Sequence, residues 1–203
     1  IKKTGQEEKD VVVWNHPSGK EKLLEEPLLM NVLNAGNVVV SADLPGIGEL
    51  HDSDFRGDGF VRGVQFNYTF IANLVGKSIS GVQAEALDLL MQFIESTNRY
   101  RGATVSALAE GTLVPAVLSR AIFNNGFRKI AGLDPPPPGS YFLETEYYDP
   151  FLAFSVVPGS IGLYEWKDLL AFSPQTPVKI FEVKNKPQSD NITQPEIVDF
   201  LRK

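Results

Sequence analysis

Short runs of consecutive apolar residues alternate along the chain with longer segments whose apolar residues recur at helical spacing. The runs are rich in valine, isoleucine and alanine, as in strands that are buried on both faces of a parallel sheet. Five runs fit this description, at residues 10–14, 37–42, 103–108, 127–133 and 177–183. Strands that alternate with helices predict a mainly parallel, doubly wound sheet in a three-layer α/β/α sandwich.

Helical spacing predicts six helices between and after these strands. They cover residues 21–33, 68–75, 80–94, 112–124, 165–171 and 193–202. Pro27 either kinks the first helix or begins it, because proline cannot continue a helix from within. In the third helix we expect the core-facing stripe to consist of Val82, Ala86, Leu89, Leu90 and Phe93. Residues 50–67 are polar and rich in glycine, which predicts a surface loop.

Composition excludes several classes of protein. A chain of 203 residues is long enough for one domain of ordinary size. Its net charge of −6 argues against nucleic acid as a partner, since phosphate binding needs clustered Lys and Arg. The absence of cysteine removes disulfides and thiolate chemistry. No apolar run approaches the roughly 18 residues of a membrane span.

The third strand leads into a turn and then directly into an apolar helix. The turn falls in the pentapeptide 109–113, Ala-Glu-Gly-Thr-Leu, which has Gly111 at its centre. Three further segments accompany it: residues 41–49 with the pattern D-x-x-G-x-G, residues 76–94, and residues 157–170. Residues 12–20, which contain His16, Ser18 and Gly19, form a fourth.

In this order the segments resemble the acetyl xylan esterase-like branch of the α/β-hydrolases. Residues 12–20 are similar to the oxyanion-loop strand, and the pentapeptide is similar to the nucleophile elbow, G-x-S-x-G. The resemblance implies that the five strands are hydrolase strands three to seven, in the spatial order second, first, third, fourth, fifth, as in flavodoxin. We therefore expect residues 1–203 to form one truncated α/β-hydrolase-like domain, the C-terminal part of a longer esterase.

The family's chemistry needs a serine nucleophile, an acid and a histidine, in that chain order. Here Gly111 stands where the serine would be, and both histidines, His16 and His51, precede the elbow. The sequence therefore predicts a degenerate domain with a structural or carbohydrate-binding role. Asp190 lies near where the family's acid would fall, but it has no later histidine to orient.

The alternative is an active carboxylic-ester hydrolase, a carbohydrate deacetylase that uses Ser78 or residues from outside this chain. Ser78 follows Gly76-Lys77 and precedes a predicted helix, so it is either a nucleophile or a helix cap. Glu110 falls at the carboxyl edge of the sheet, where open α/β sheets place ligands. It is either a general base or an ordinary turn carboxylate.

His16 belongs to the oxyanion-type loop, whose backbone N–H groups could bind an anion or a carbonyl oxygen. It is otherwise a loop histidine. His51 stands near Asp52, Asp54 and Asp58, which suggests calcium, but the EF-hand spacing is not met and a solvated acidic loop is the better interpretation. We expect neither a metal nor another cofactor. A flavodoxin-like ligand-binding domain is a third interpretation, but the sequence has no phosphate-binding fingerprint to support it.

Partners follow from the resemblance. It implies acetylated carbohydrate as ligand, a homodimer or an adjoining partner domain, and a secreted or periplasmic location. The aromatic residues Tyr141, Phe142, Tyr147, Tyr148 and Trp166 either line a sugar-facing groove or pack over the sheet.

Overall fold

The computed structural model describes residues 1, 10–51, 60–61, 64–172, 175–183 and 193–202. Seven strands occur in this part of the chain: β1 (Val11–Asn15), β2 (Val38–Val40), β3 (Phe60–Val61), β4 (Val64–Gln65), β5 (Val105–Glu110), β6 (Ile130–Leu133) and β7 (Val178–Phe181). Five of them form a parallel sheet in the order β2-β1-β5-β6-β7, and β3 and β4 form a separate antiparallel pair. The predicted spatial order of the five strands is confirmed.

Helices connect and cover the strands. The α-helices are α1 (Lys20–Leu23), α2 (Pro27–Asn34), α3 (Phe66–Leu74), α4 (Ile79–Ser96), α5 (Val114–Phe123), α6 (Tyr141–Glu144) and α7 (Thr193–Arg202). In the described segments four 3₁₀ helices accompany them, at Gly48–Leu50, Gly111–Leu113, Pro150–Ser155 and Trp166–Phe172. None of the helices in the described part of the chain has the length and hydrophobicity that a membrane span requires.

Successive residues of each strand point to opposite faces of the sheet, which gives the molecule two cores. Val11 and Val13 pack in a first core with α4 and α5. Val12 and Trp14 pack in a second core with α2 and α7. Helices therefore cover both faces, and the predicted three-layer α/β/α architecture is confirmed.

The first predicted helix is two helices. α1 ends at Leu23, and α2 begins at Pro27, which occupies a first-turn position where its missing N–H costs nothing. Glu26, just before the proline, is extended, with φ −75° and ψ 119°. A residue before proline avoids the helical region because it clashes with the ring, so Pro27 begins a helix rather than kinking one.

The predicted core face of α4 is right for Ala86 and Leu90, which pack against the first core, and wrong for Leu89 and Phe93. Leu89 is 67% exposed and Phe93 is 59% exposed. The buried stripe is centred on Gln83, Leu87, Met91 and Ile94. Both stripes have helical spacing, so the local pattern is compatible with either face.

The region predicted as a surface loop, residues 50–67, is partly structured. Residues 52–59 and 62–63 lie outside the described residues. Val64, in β4, is 1% exposed and packs with Ile79 and Phe154 in a small third cluster. The surface-loop prediction is therefore wrong for Val64. The predicted helix at 165–171 exists as the 3₁₀ helix Trp166–Phe172.

Candidate functional site

The candidate site lies where the connections of the sheet change direction. From β1 the chain moves outward to β2 and then returns to place β5 on the other side of β1. Because these strands are parallel, His16 at the end of β1 and Glu110 at the end of β5 meet at the carboxyl edge. In open α/β sheets this switch point is the usual ligand site.

Gly111 forms the turn that follows β5. Its φ is +56°, in the left-handed region that glycine adopts at little cost. The predicted strand, turn and helix are all present, since the 3₁₀ helix Gly111–Leu113 leads directly into α5. Within the described part of the chain, a Cβ at Gly111 would meet only Pro17 Cγ, at 3.8 Å. The position therefore has room for a side chain, and this sequence supplies none.

His16 and Glu110 form a cluster with Glu26. His16 Nε2 lies 3.7 Å from Glu110 Oε2 and 3.5 Å from Glu26 Oε1. The side chains of His16 and Glu110 are only 10% and 9% exposed. On the other side of the ring, Ser18 N–H donates to His16 Nδ1 at 3.0 Å. Since Nδ1 accepts, the proton of a neutral imidazole belongs on Nε2, which faces the two carboxylates.

The same cluster has the composition of a metal site. Three possible ligand atoms lie within 4.8 Å of one another, one each from His16, Glu26 and Glu110. Imidazole and carboxylate oxygens suit divalent transition metals. However, a neutral imidazole that binds a metal through Nε2 carries its proton on Nδ1, and that proton would oppose the Ser18 N–H. The arrangement thus suits an Nε2 proton facing carboxylates better than a metal ion.

The loop after β1 uses its own N–H groups internally. Gly19 N–H donates to His16 O at 3.0 Å, and Lys20 N–H donates to Asp43 Oδ1 at 2.7 Å. Ser18 N–H is taken by His16, as described above, and Pro17 has none. An oxyanion hole needs N–H groups directed at the ligand. From Pro17 to Lys20 the backbone hydrogen-bonds within the protein instead.

Asp43 explains the D-x-x-G-x-G pattern. Besides Lys20 N–H, its carboxylate accepts from Glu49 N–H at 3.1 Å, so it ties the loop after β2 to the loop after β1. A Cβ at Gly48, where φ is +55°, would lie within about 2.5 Å of this carboxylate. A Cβ at Gly19 would lie 2.9 Å from Gly48 Cα. The glycines are required by the close approach of the two loops.

Lys20 pairs with two carboxylates at this edge. Its Nζ hydrogen-bonds to Glu49 Oε1 and lies 3.5 Å from Asp43 Oδ2. The hydrogen bond to Glu49, followed by the nearby charge of Asp43, raises the pKa of Lys20 above its ordinary value. The side chain of Lys20 is 38% exposed and that of Glu49 is 69% exposed, so solvent screens this pair and it contributes little to stability.

A cavity of about 250 Å³ opens beside these loops, and we refer to it as the edge cavity. Pro17 and Ser18 line it on one side and Phe151 and Phe154 on another. His51 also lines it, whereas Asp52, Asp54 and Asp58 lie outside the described residues. His16 and Glu110 do not line the edge cavity. The histidine–carboxylate cluster therefore positions the loop instead of facing a ligand in the edge cavity.

Ser78 does not line the edge cavity and lies at the N-terminus of α4. Its Oγ accepts a hydrogen bond from Gly81 N–H at 3.0 Å, which is the geometry of a helix cap. The capping interpretation is confirmed. Asp190 lies outside the described residues.

The predicted aromatic residues differ in their surroundings, although Phe142 and Trp166 line the same small cavity. Trp166 is 9% exposed, and its Nε1 donates to Pro136 O at 2.8 Å, so it packs in the first core. Phe142 packs edge-on against Tyr148, with ring centroids 4.9 Å apart. Tyr147 is 84% exposed.

A second concave region is one that sequence reasoning missed. It lies between α4 and α5 and is closed by the segment around Tyr164; its volume is about 380 Å³. Arg120 and Asp88 pair across it, with Arg120 Nε 2.9 Å from Asp88 Oδ1. Arg120 within an otherwise apolar helix was the available sequence signal, because a buried arginine needs a partner.

Comparisons with known proteins agree with this architecture. No protein-family model matches the sequence, and no curated protein matches it. A solved structure of a candidate acetyl xylan esterase from Bacteroides fragilis matches with a TM-score of 0.65 and 11% identity. The match covers 99% of this chain and 57% of that one, so this chain spans little more than half of that protein.

Two further solved structures match this chain over nearly its whole length at low sequence identity. An acetyl xylan esterase from Paenibacillus sp. matches with a TM-score of 0.55 and 10% identity, covering 97% of this chain and 76% of that one. A 2,6-dihydroxy-pseudo-oxynicotine hydrolase matches with a TM-score of 0.61 and 15% identity, covering 100% of this chain and 62% of that one. The chain has an α/β-hydrolase fold, and esterases are among its structural neighbours.

Proposed function

We propose that this chain is an esterase-like α/β-hydrolase domain without a Ser-His-Asp triad of its own, and that it serves a structural or carbohydrate-binding role. In this proposal it acts beside an active domain, in the same polypeptide or in a dimer. The acetyl xylan esterases among its structural neighbours support acetylated carbohydrate as the ligand class.

The observation that carries the proposal is the turn at Gly111. It follows the strand next to the switch point, has φ +56°, and leads straight into a helix. This is the place and the backbone shape of a nucleophile elbow. Glycine has no atom there that could attack an ester.

Two further features support the loss of catalysis. The N–H groups of Ser18, Gly19 and Lys20 are engaged within the protein, so they are not available to a developing oxyanion. Within these 203 residues, no histidine follows the elbow. A triad that lacks a member retains only about 10³–10⁴-fold catalysis over water in well-studied cases.

The second candidate function is an active carboxylic-ester hydrolase that uses Ser78. The observation in its favour is that Ser78 lines the region between α4 and α5. Against it, Ser78 Oγ already accepts from Gly81 N–H, and the carboxylate of Glu85 is paired with Lys77 at 2.7 Å. A nucleophilic serine needs a base that takes its proton.

The test is acetate release from p-nitrophenyl acetate and from acetylated xylan. The purified chain and its Ser78→Ala variant are both expected to match the uncatalysed rate. In parallel, a fluorophosphonate probe that labels activated serines is expected to leave the chain unmodified.

Turnover by the parent chain that Ser78→Ala abolishes, together with labelling of Ser78, would establish the second candidate instead. Turnover that survives Ser78→Ala would direct attention to Glu110 and His16. A melting curve for each protein ensures that a difference in activity is not a difference in folding, since loss of a cap costs about 1 kcal/mol.

A further inference from the structure

We propose that the region between α4 and α5 is a binding site for a neutral sugar chain. We refer to it as the α4–α5 groove; Ser80, Asp88, Arg120, Phe123, Asn124 and Tyr164 line it. The inference rests on the carbohydrate-binding part of the proposed function and assigns that binding to a definite surface. This surface shares no lining residue with the edge cavity.

The groove has the size of a ligand site. Its volume of about 380 Å³ falls within the range of roughly 300–1,000 Å³ that is typical of small-molecule sites. A smaller cavity continues from it and shares Ser119, Val157 and Tyr164 with it. The concave surface therefore extends past Tyr164, by a volume of about 30 Å³.

Two aromatic rings line the groove and are open to solvent. Phe123 is 84% exposed at the end of α5, and Tyr164 is 36% exposed. An apolar ring held in water is stabilised when a partner covers it. The C–H face of a pyranose is apolar while its rim carries hydroxyls, so a sugar can stack on such a ring and keep its hydroxyls hydrogen-bonded.

A rigid polar network lies next to these rings. Asp88 Oδ1 accepts from Arg120 Nε at 2.9 Å, and Asp88 Oδ2 accepts from Asn124 Nδ2. Arg120 is itself fixed, because its guanidinium also donates to Asn124 O at 2.9 Å and lies 4.7 Å from the Phe127 ring centroid. Each carboxylate oxygen has two acceptor sites, so the 29% exposed Asp88 can still accept from a ligand hydroxyl.

The charges of the groove are balanced. Arg120 is neutralised by Asp88, and Glu85 is neutralised by Lys77. Among the described residues that line the groove, Arg120 is the only cation and it is already paired with Asp88. An anionic ligand would therefore meet the carboxylates of Asp88 and Glu85 without a further positive charge to offset them. A ligand with neutral hydroxyls, which both donate and accept, matches a surface of paired charges.

Ser80 adds a donor that the fold itself leaves unused. It is 1% exposed, and among the described residues its Oγ has no hydrogen-bond partner. It belongs to the first turn of α4, where the backbone N–H groups also lack partners within the helix. A buried hydroxyl without a partner is unfavourable, and a ligand oxygen in the groove would relieve this.

The test is calorimetric titration of the chain with hexasaccharides of xylose and of glucose. Phe123→Ala is expected to weaken binding about tenfold, as loss of one stacking contact does. Ser80→Ala is expected to weaken it by a smaller factor. The matched control is Phe93→Ala, an exposed phenylalanine of α4 outside the groove, which is expected to bind like the parent chain. Affinity is expected to be independent of ionic strength, because the ligand is uncharged.

Phe151→Ala alters the edge cavity. If binding survives Phe123→Ala but is lost in Phe151→Ala, the sugar binds in the edge cavity; this result would overturn the proposed site in the α4–α5 groove and leave the proposed function standing. If the parent chain binds neither hexasaccharide, both the proposed site in the α4–α5 groove and the carbohydrate-binding role are overturned. Acetate release is measured separately, so neither result depends on the catalytic question.

Discussion

Gly111 limits the chemistry of the carboxyl edge through its backbone. Its φ of +56° is set by the passage from β5 into α5, since the strand must turn sharply to place the helix over the first core. Residues with a Cβ adopt this region at a cost of about 1–2 kcal/mol. Among the described residues, the one atom near a Cβ at this position is Pro17 Cγ, at 3.8 Å, so the neighbours leave room for a side chain.

We therefore expect Gly111→Ala to lower the free energy of unfolding by about 1–2 kcal/mol, through backbone strain alone. Gly111→Asn is the matched comparison, and it is expected to cost less because asparagine tolerates the left-handed region. Urea denaturation of the three proteins measures both values. Equal losses for alanine and asparagine would mean that crowding, and not φ, sets the preference for glycine.

At the scale of single elements, α4 shows how packing selects between two apolar stripes. Leu87 is fully buried against the sheet, whereas Leu89, two residues later, is 67% exposed. Residues two positions apart point to different sides of a helix. The two leucines have the same chemistry, so they differ only in what surrounds them.

This predicts opposite outcomes for the same substitution. Leu87→Ala is expected to cost about 2–5 kcal/mol, because it removes buried methyl groups and leaves a cavity. Leu89→Ala is expected to stay within about 0.5 kcal/mol of the parent chain. Thermal unfolding of both variants decides between the two faces. A larger loss for Leu89→Ala would show that α4 is rotated relative to the structure described here.

At the scale of the whole molecule, one sheet joins two cores. Trp166 lies in the first core and Trp14 in the second, and the chain has no other tryptophan. α7 closes the second core with Leu201, which is 1% exposed. Arg128 and Lys129, next to β6, donate to the carbonyls of Leu201 and Phe200 at 2.6 and 2.9 Å. The last helix is thus fixed to the sheet.

We expect the two cores to unfold as one unit. Leu201→Ala in the second core should lower the denaturation midpoint that Trp166 reports as much as the midpoint that Trp14 reports. Trp14→Phe and Trp166→Phe backgrounds isolate each fluorescence signal. Glu196→Ala, with a half-exposed side chain on the same helix, serves as the control and should leave both midpoints unchanged. Separate midpoints for the two tryptophans would contradict two-state unfolding.

Much of the site was predictable because it depends on strand ends. Apolar runs identified β1 and β5. His16, just after β1, and Glu110, the last residue of β5, had to meet once the strands were parallel neighbours. The Ser78 cap was predictable too, because capping is local in sequence. The contact of Glu26 with His16 was not predictable from the sequence, since it depends on where Pro27 begins α2 and on how α2 packs.

By itself, the sequence determined the alternation of strands and helices and the absence of a side chain at Gly111, because these follow from local patterns and residue identity. The order of the strands in the sheet was instead implied by the family resemblance. Tertiary structure alone decided which stripe of α4 is buried, that the loop N–H groups are consumed internally, and that Asp88, Arg120 and Phe123 line one groove. Those outcomes depend on contacts between residues distant in the chain, and local periodicity does not encode such contacts.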